Sequence, residues 1–171
     1  MDIKTIKFMS EYNQIVNTKM NNIISELSDE QWNRAFGGYF RSIRQLCNHI
    51  YVCDYNWLKR FSALREFMYV KGTEINKGIE FGTTVLQNIK DYISKRKWLD
   101  EKINEFTNEI TGSDITSVLK YIDSHGITYE RNFGGLVLHM FNHETHHRGM
   151  VSIYLEELGI VNDYSNIYDI L

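Results

Sequence analysis

The stretch LVLHMFNHETHHRGMVSIYLEEL, residues 136–158, decides the fold. A helix advances about 100° per residue, so with His143 at zero His147 falls at about 40° and Leu136 and Tyr154 at about 20°. On the same scale Met140 and Leu158 fall at about 60°, Val151 at about 80° and Met150 at about −20°. These residues make one apolar stripe, and His143 and His147 sit in the middle of it. His139 and His146 lie toward its edge, at about −40° and about −60°. The spacing predicts a helix that starts after Gly134-Gly135 and ends at Gly159, whose freedom at positive φ suits a C-terminal cap. An amphipathic helix of this length needs partner helices to cover its stripe.

Three further segments supply those partners. Residues 3–27 repeat Met9, Val16, Met20, Ile23 and Leu27 at helical spacing, until Ser28-Asp29-Glu30 interrupts. A second helix opens at Ser42, where Ser42-Ile43-Arg44-Gln45 has the form of a capping box. Leu46, Ile50, Cys53, Trp57, Phe61 and Leu64 form its stripe, and Gly72, Gly78 and Gly82 mark the loop beyond. A third runs over residues 84–110 through Leu86, Ile89, Ile93, Ile103, Phe106 and Ile110, with Gly112 as its stop. Residues 118–122 and 127–132, rich in β-branched and aromatic side chains, read as a β-hairpin turning at Asp123-Ser124-His125-Gly126. The expected fold is all-α, a four-helix bundle in a single domain over residues 1–171, with this short hairpin before the last helix.

Composition narrows the function. A net charge of −3 with no Lys/Arg cluster gives no footprint for nucleic acid. No apolar run approaches the roughly 18 residues of a membrane span. Met1-Asp2-Ile3-Lys4 does not open a signal peptide, and Cys47 and Cys53 are placed on different faces of one helix, wrongly for a disulfide. A reducing cytoplasm is the expected setting. The chain has no proline, which leaves long helices unbroken.

A single imidazole in a bundle core is commonly just a hydrogen-bonded core residue. Two at i, i+4 converge their nitrogens on one point, as metal sites on helical bundles do. A third ligand should come from another helix. His49 is the one histidine on the first three helices, although it lies about 80° from the centre of its stripe. Cys53, one turn later, could be a fourth ligand or simply a small buried thiol, and His125 reads as exposed turn chemistry.

His143-Glu144-Thr145-His146-His147 also matches H-E-x-x-H, in which the glutamate of a metalloprotease is the general base. Only 24 residues follow His147, and no third histidine stands at metzincin spacing, so this reading is set aside. Glu144, at about 100°, is expected at the edge of the buried face, and Arg148, at about 140°, at the surface or a subunit interface. His139 and His146 read as supporting donors or polar edge residues, and Trp57 and Tyr154 as core packing.

Three stretches then resemble the DinB family, within the wider DinB/YfiT-like superfamily. They are Phe36-Gly37-Gly38-Tyr39-Phe40-Arg41-Ser42-Ile43 leading into Leu46-Cys47-Asn48-His49-Ile50; Tyr129-Glu130-Arg131-Asn132-Phe133-Gly134; and Leu138-His139-Met140-Phe141-Asn142-His143-Glu144-Thr145-His146-His147-Arg148-Gly149. The resemblance implies an up-down-down-up bundle and metal ligation by His49, His143 and His147. It implies a divalent transition metal, zinc or nickel, a homodimer, a small-molecule substrate, and variation at the position of Glu144. It does not imply DNA binding, and the net charge of −3 argues against it. Related superfamily members transfer or isomerise with mycothiol, bacillithiol or glutathione, so a low-molecular-weight thiol is a candidate cofactor. The expectation is a metal-dependent enzyme of open substrate, foremost a thiol S-transferase, with metal-assisted hydrolysis next. The alternatives are a non-catalytic metal-binding stress-response module and a plain bundle with core histidines.

Overall fold

The computed structural model describes residues 2–170. Helix α1 (Ile3–Ser25) starts where the Asp2 carboxylate accepts the Thr5 N–H. It buries Ile6, Val16, Met20 and Ile24. Where the sequence reads only an interruption, Ser28 and Gln31 close a reciprocal capping box on a short helix, α2 (Asp29–Asn33), which inserts Trp32 into the core. Helix α3 (Ile43–Phe61) is capped by Ser42, whose hydroxyl accepts the Gln45 N–H. The expected box there is half made, because the Gln45 amide oxygen accepts the N–H of Arg41 instead.

Helix α4 (Ile89–Glu109) begins later than residue 84, capped by Asn88. Leu86 is buried from the preceding loop, where Asn48 holds the Val85 and Leu86 N–H groups. Gly112 does not stop this helix. Ile110 leaves in an extended conformation, and Gly112 opens another short helix, α5 (Gly112–Thr116), boxed by Thr111 and Asp114. Strands β1 (Val118–Ile122) and β2 (Thr128–Asn132) pair antiparallel, Val118 opposite Asn132 and Ile122 opposite Thr128. Ile127 belongs to the turn, its N–H held by the Asp123 carboxylate. The last helix, α6 (Phe133–Glu157), starts before the glycine pair, because Asn132 caps it through the Gly135 N–H. Its C-terminus is a Schellman motif: Gly159 at φ 73° donates to Glu156 and Ile160 donates to Leu155.

The side-chain registers fix the helix directions. Ser10 and Gln14 of α1 meet Asn104 of α4, and Asn17 meets Asp100, so α1 and α4 run antiparallel. Cys47, Asp54 and Phe61 of α3 face Tyr92, Arg96 and Phe106 of α4 in ascending order, so these two run parallel. His49, Trp57 and Phe61 meet His147, His139 and Phe133, so α3 and α6 run antiparallel. The bundle is up-down-down-up. The parallel α3–α4 pair requires a crossover that returns along the bundle, and residues 62–88 supply it with one 3-10 turn at Ile75–Lys77. Phe61 stacks on Phe106 and Phe133 meets both edge-on at one end, joining three helices in one hydrophobic core. No helix among the described residues is long and apolar enough to cross a membrane. Cys47 and Cys53 are both free thiols.

Candidate metal centre

Helix α3 has two buried flanks, one against α4 and one against α6. The stripe centre faces the core, and His49 lies on the flank that α6 covers. This is why periodicity alone undervalues it. Its Nε2 is 3.1 Å from Nε2 of His143 and 3.1 Å from Nε2 of His147. A four-coordinate ion with bonds of about 2.0–2.1 Å to imidazole holds its donors roughly 3.4 Å apart. The separations of His49 from His143 and from His147 lie near that spacing.

The rings are ready to donate. Burial, then the charge of the neighbouring histidines, lowers His49, His143 and His147 from the usual imidazole range to about 4. All three are neutral at pH 7, with lone pairs free for a cation. Nδ1 of His143 and of His147 is buried without a protein partner. The rings are therefore oriented by packing rather than by carboxylates. Phe40 lies 4.4 Å from the His49 ring and 5.5 Å from that of His147, and His146 lies 4.8 Å from His147. Phe40 is fixed in turn by Tyr154, which donates its hydroxyl to the Phe40 carbonyl at 2.6 Å and stacks on Phe36 at 4.2 Å. Tyr154 thus does more than pack.

Cys53 Sγ lies against His49, 3.6 Å from Nδ1 and 3.7 Å from Nε2. His49, Cys53 and His143 each offer a donor atom within 4.8 Å of one another, a set that could hold a metal ion. Burial pushes the Cys53 thiol up to about 12, so it stays protonated. His139 is exposed, its ring 6.1 Å from His143 and edge-on to Trp57 at 5.3 Å. His125 is exposed at the hairpin turn, far along the sequence from the cluster. A cavity of about 580 Å³ opens beside His49, walled by Tyr39, Phe40, Gln45, Asn48 and Phe81.

Arg148 corrects the expectation of a surface residue: it is 3% exposed, and Glu144, expected at an edge, is 0% exposed. Helix α1 packs on that side of α6 and covers both. Glu144 accepts from Asn13 at 3.0 Å, from Asn17 at 3.3 Å and from Arg148 at 3.0 Å. Arg148 also donates to Asn13 and Asn17. Asn17 continues to Asp100, and Arg96 bridges Asp100 at 2.7 Å and Asp54 at 2.6 Å. This network touches all four long helices. With both oxygens occupied inside it, Glu144 is no general base, and the H-E-x-x-H match loses its catalytic glutamate. Three carboxylates meet two guanidiniums here. The surplus is relieved at Asp54: burial and the charge of Glu144 hold its carboxyl well above the usual range, favouring the protonated form, and its Oδ1 has no partner among the described residues. The signals for this network were Asn13 and Asn17, and the i, i+4 pairs Arg96–Asp100 and Glu144–Arg148.

An up-down-down-up bundle with histidines from α3 and α6 converging on one point defines the class of protein. The DinB family's sequence profile matches residues 1–167, and the chain belongs to that family. It is 23% identical to Protein DinB of Bacillus subtilis (strain 168) over 159 residues, covering 87% of this chain and 83% of that one. Among solved structures it resembles YfiT from Bacillus subtilis, described as a probable metal-dependent hydrolase with an unusual four-helix bundle topology. That likeness has a TM-score of 0.67 at 13% identity, over 94% of this chain and 91% of the other.

Proposed function

We propose that the protein binds one divalent transition-metal ion through Nε2 of His49, His143 and His147, and uses it as a metal-dependent enzyme on a small molecule. The convergence of three neutral imidazoles, with Nε2 of His49 3.1 Å from Nε2 of each of the others, carries this reading. Three neutral ligands leave the ion its full charge, and when bound it supplies Lewis acidity toward a water or thiol. The chain's own residues do the rest. Phe40 excludes solvent from one side of the His49 ring, and the cavity beside His49 admits a small substrate. With Cys53 outside the ligand set, one position stays open to an exogenous nucleophile.

For that nucleophile we propose a low-molecular-weight thiol, transferred to a small electrophile, as the superfamily resemblance suggests. Hydrolysis is the second reading, favoured by the description given to YfiT. Zinc and nickel both suit an all-imidazole set. Elemental mass spectrometry of the purified protein tests the centre. About one metal per chain is expected in the wild type and in Cys53→Ala. None is expected in a folded His143→Ala, His147→Ala double variant. No metal in the wild type after reconstitution would falsify the proposal, and loss in Cys53→Ala would replace the open site by a closed one. Turnover of an electrophile that requires added thiol selects transfer over hydrolysis.

A further inference from the structure

His49, Cys53, Trp57 and Arg60 follow one another along a single flank of α3. Opposite them, α6 runs back through His147, His143 and His139. The line of rings continues from His143 to His139 to Trp57, and ends at Arg60. The Arg60 guanidinium lies 4.7 Å from the Trp57 ring, 5.7 Å from Tyr121 and 5.8 Å from Phe81. Among the described residues it finds no hydrogen bond and no ion pair, although it is half buried. The nearest acid, Asp123, attracts it from beyond ion-pair distance, and its Oδ1 holds the N–H groups of His125 and Ile127. A half-buried guanidinium with no hydrogen-bonded acceptor among the described residues can take an anion in direct contact.

The surroundings agree. Trp57 and Tyr121 also wall a cavity of about 400 Å³ with Arg131, Leu136 and His139, and no carboxylate lines it. Arg131 sits over Tyr129 at 5.2 Å and uses one nitrogen on the Glu130 carbonyl, leaving further donors. Eleven residues of helix separate His49 from Arg60, and arginine side chains lean toward the helix N-terminus. The distance from the histidines to the guanidinium is then on the order of 10–15 Å, the length of a small organic molecule.

We infer that Arg60, assisted by Arg131, is a specificity-determining residue that binds the anionic end, a carboxylate or phosphate, of a substrate with an aromatic or apolar body lying across Trp57 and His139. The inference rests on the proposed metal centre as the reactive end of the groove, but Arg60 can be tested apart from it. Calorimetry at pH 7.5 on chelator-treated protein compares 3-phenylpropionate and phenyl phosphate with the neutral 3-phenylpropanamide, so that no metal-bound anion contributes. At least one anion is expected to bind tenfold or more tighter than the amide, the tighter of the two naming the group. The preference should vanish in Arg60→Gln and survive in part in Arg60→Lys, with the metal content of both variants unchanged after reloading. Equal binding of anion and amide, binding of neither, or a preference that persists in Arg60→Gln overturns the inference. Metal missing from wild type while the preference stands would instead sink the metal centre alone.

Discussion

Two polar clusters lie side by side on α6 and meet burial in opposite ways. In one, Glu144 and Arg148 join Asn13, Asn17, Asp100, Arg96 and Asp54, and almost every donor has an acceptor inside the protein. In the other, Nε2 of His143 and of His147 meet Nε2 of His49, and the Nδ1 atoms of His143 and His147 are left unpartnered. The first arrangement is nearly complete within the protein, with only Asp54 Oδ1 and Arg96 Nε left without a partner among the described residues. The second leaves two buried Nδ1 atoms unpartnered and brings Nε2 atoms together, as the proposed cation would use them. Buried polar groups cost free energy unless satisfied, so the kind of incompleteness is informative. The residues 143 to 148 alternate between the two because successive positions on a helix face different neighbours: α3 on one side, α1 on the other.

The contrast can be broken most forcefully at Arg148. Arg148→Ala leaves Glu144 as an uncompensated buried carboxylate, and chemical denaturation should record a loss of about 3–5 kcal/mol. A loss below about 1 kcal/mol would mean that water reaches the network and that it is not the self-contained cluster described.

A second acid of the network, Asp100, gives a smaller, pH-dependent effect. Burial raises Asp100 to about 6, above its unfolded value. A raised folded pKa contributes stability that is full below the unfolded pKa, about 4, and is lost as pH rises through about 6. The wild type should therefore lose stability relative to Asp100→Asn between about pH 4 and 6, by on the order of 1–3 kcal/mol. The three histidines act with the opposite sign. Their folded pKa values of about 4 lie below the unfolded value, so their contribution is present above about 6.5 and lost as pH falls toward 4. Denaturation midpoints of wild type and variant across that window separate the two, and a constant difference would refute the assignment of Asp100.

The smallest effect sharpens the histidine side. A Cβ at Gly38 would overlap the Tyr154 hydroxyl, which anchors the Phe40 carbonyl. Gly38→Ala should cost about 1–2 kcal/mol and let Phe40 leave the His49 ring. Metal should still bind, with weaker affinity by competition against a chelating dye. Unchanged affinity would show that Phe40 does not orient His49.

Much of this was legible in the sequence. The stripes of α1, α3 and α6 marked the helices, and Asp123 to Gly126 marked the hairpin turn. The i, i+4 pair His143 and His147 stood out because imidazoles are costly in an apolar stripe. His49 was legible only through resemblance, since a helix with two buried flanks has no single stripe centre. Arg148 and Glu144 were misplaced for a related reason: a wheel places residues by angle, and cannot say that α1 will cover the far side of α6. The short helices α2 and α5 escaped because five residues carry no periodicity, although their capping boxes were written plainly as Ser28–Gln31 and Thr111–Asp114.

The crossover of residues 62–88 has a kinetic consequence. His49 and His143 are 94 positions apart, and they meet only after α3 has been brought back along the bundle, α4 laid parallel to it and α6 closed against both. Such distant contacts form late, since loop closure must precede the contacts that reward it. An ion bound by both helices would act on the chain after its folding barrier is crossed, slowing escape from the native state and leaving the rate of arrival almost untouched.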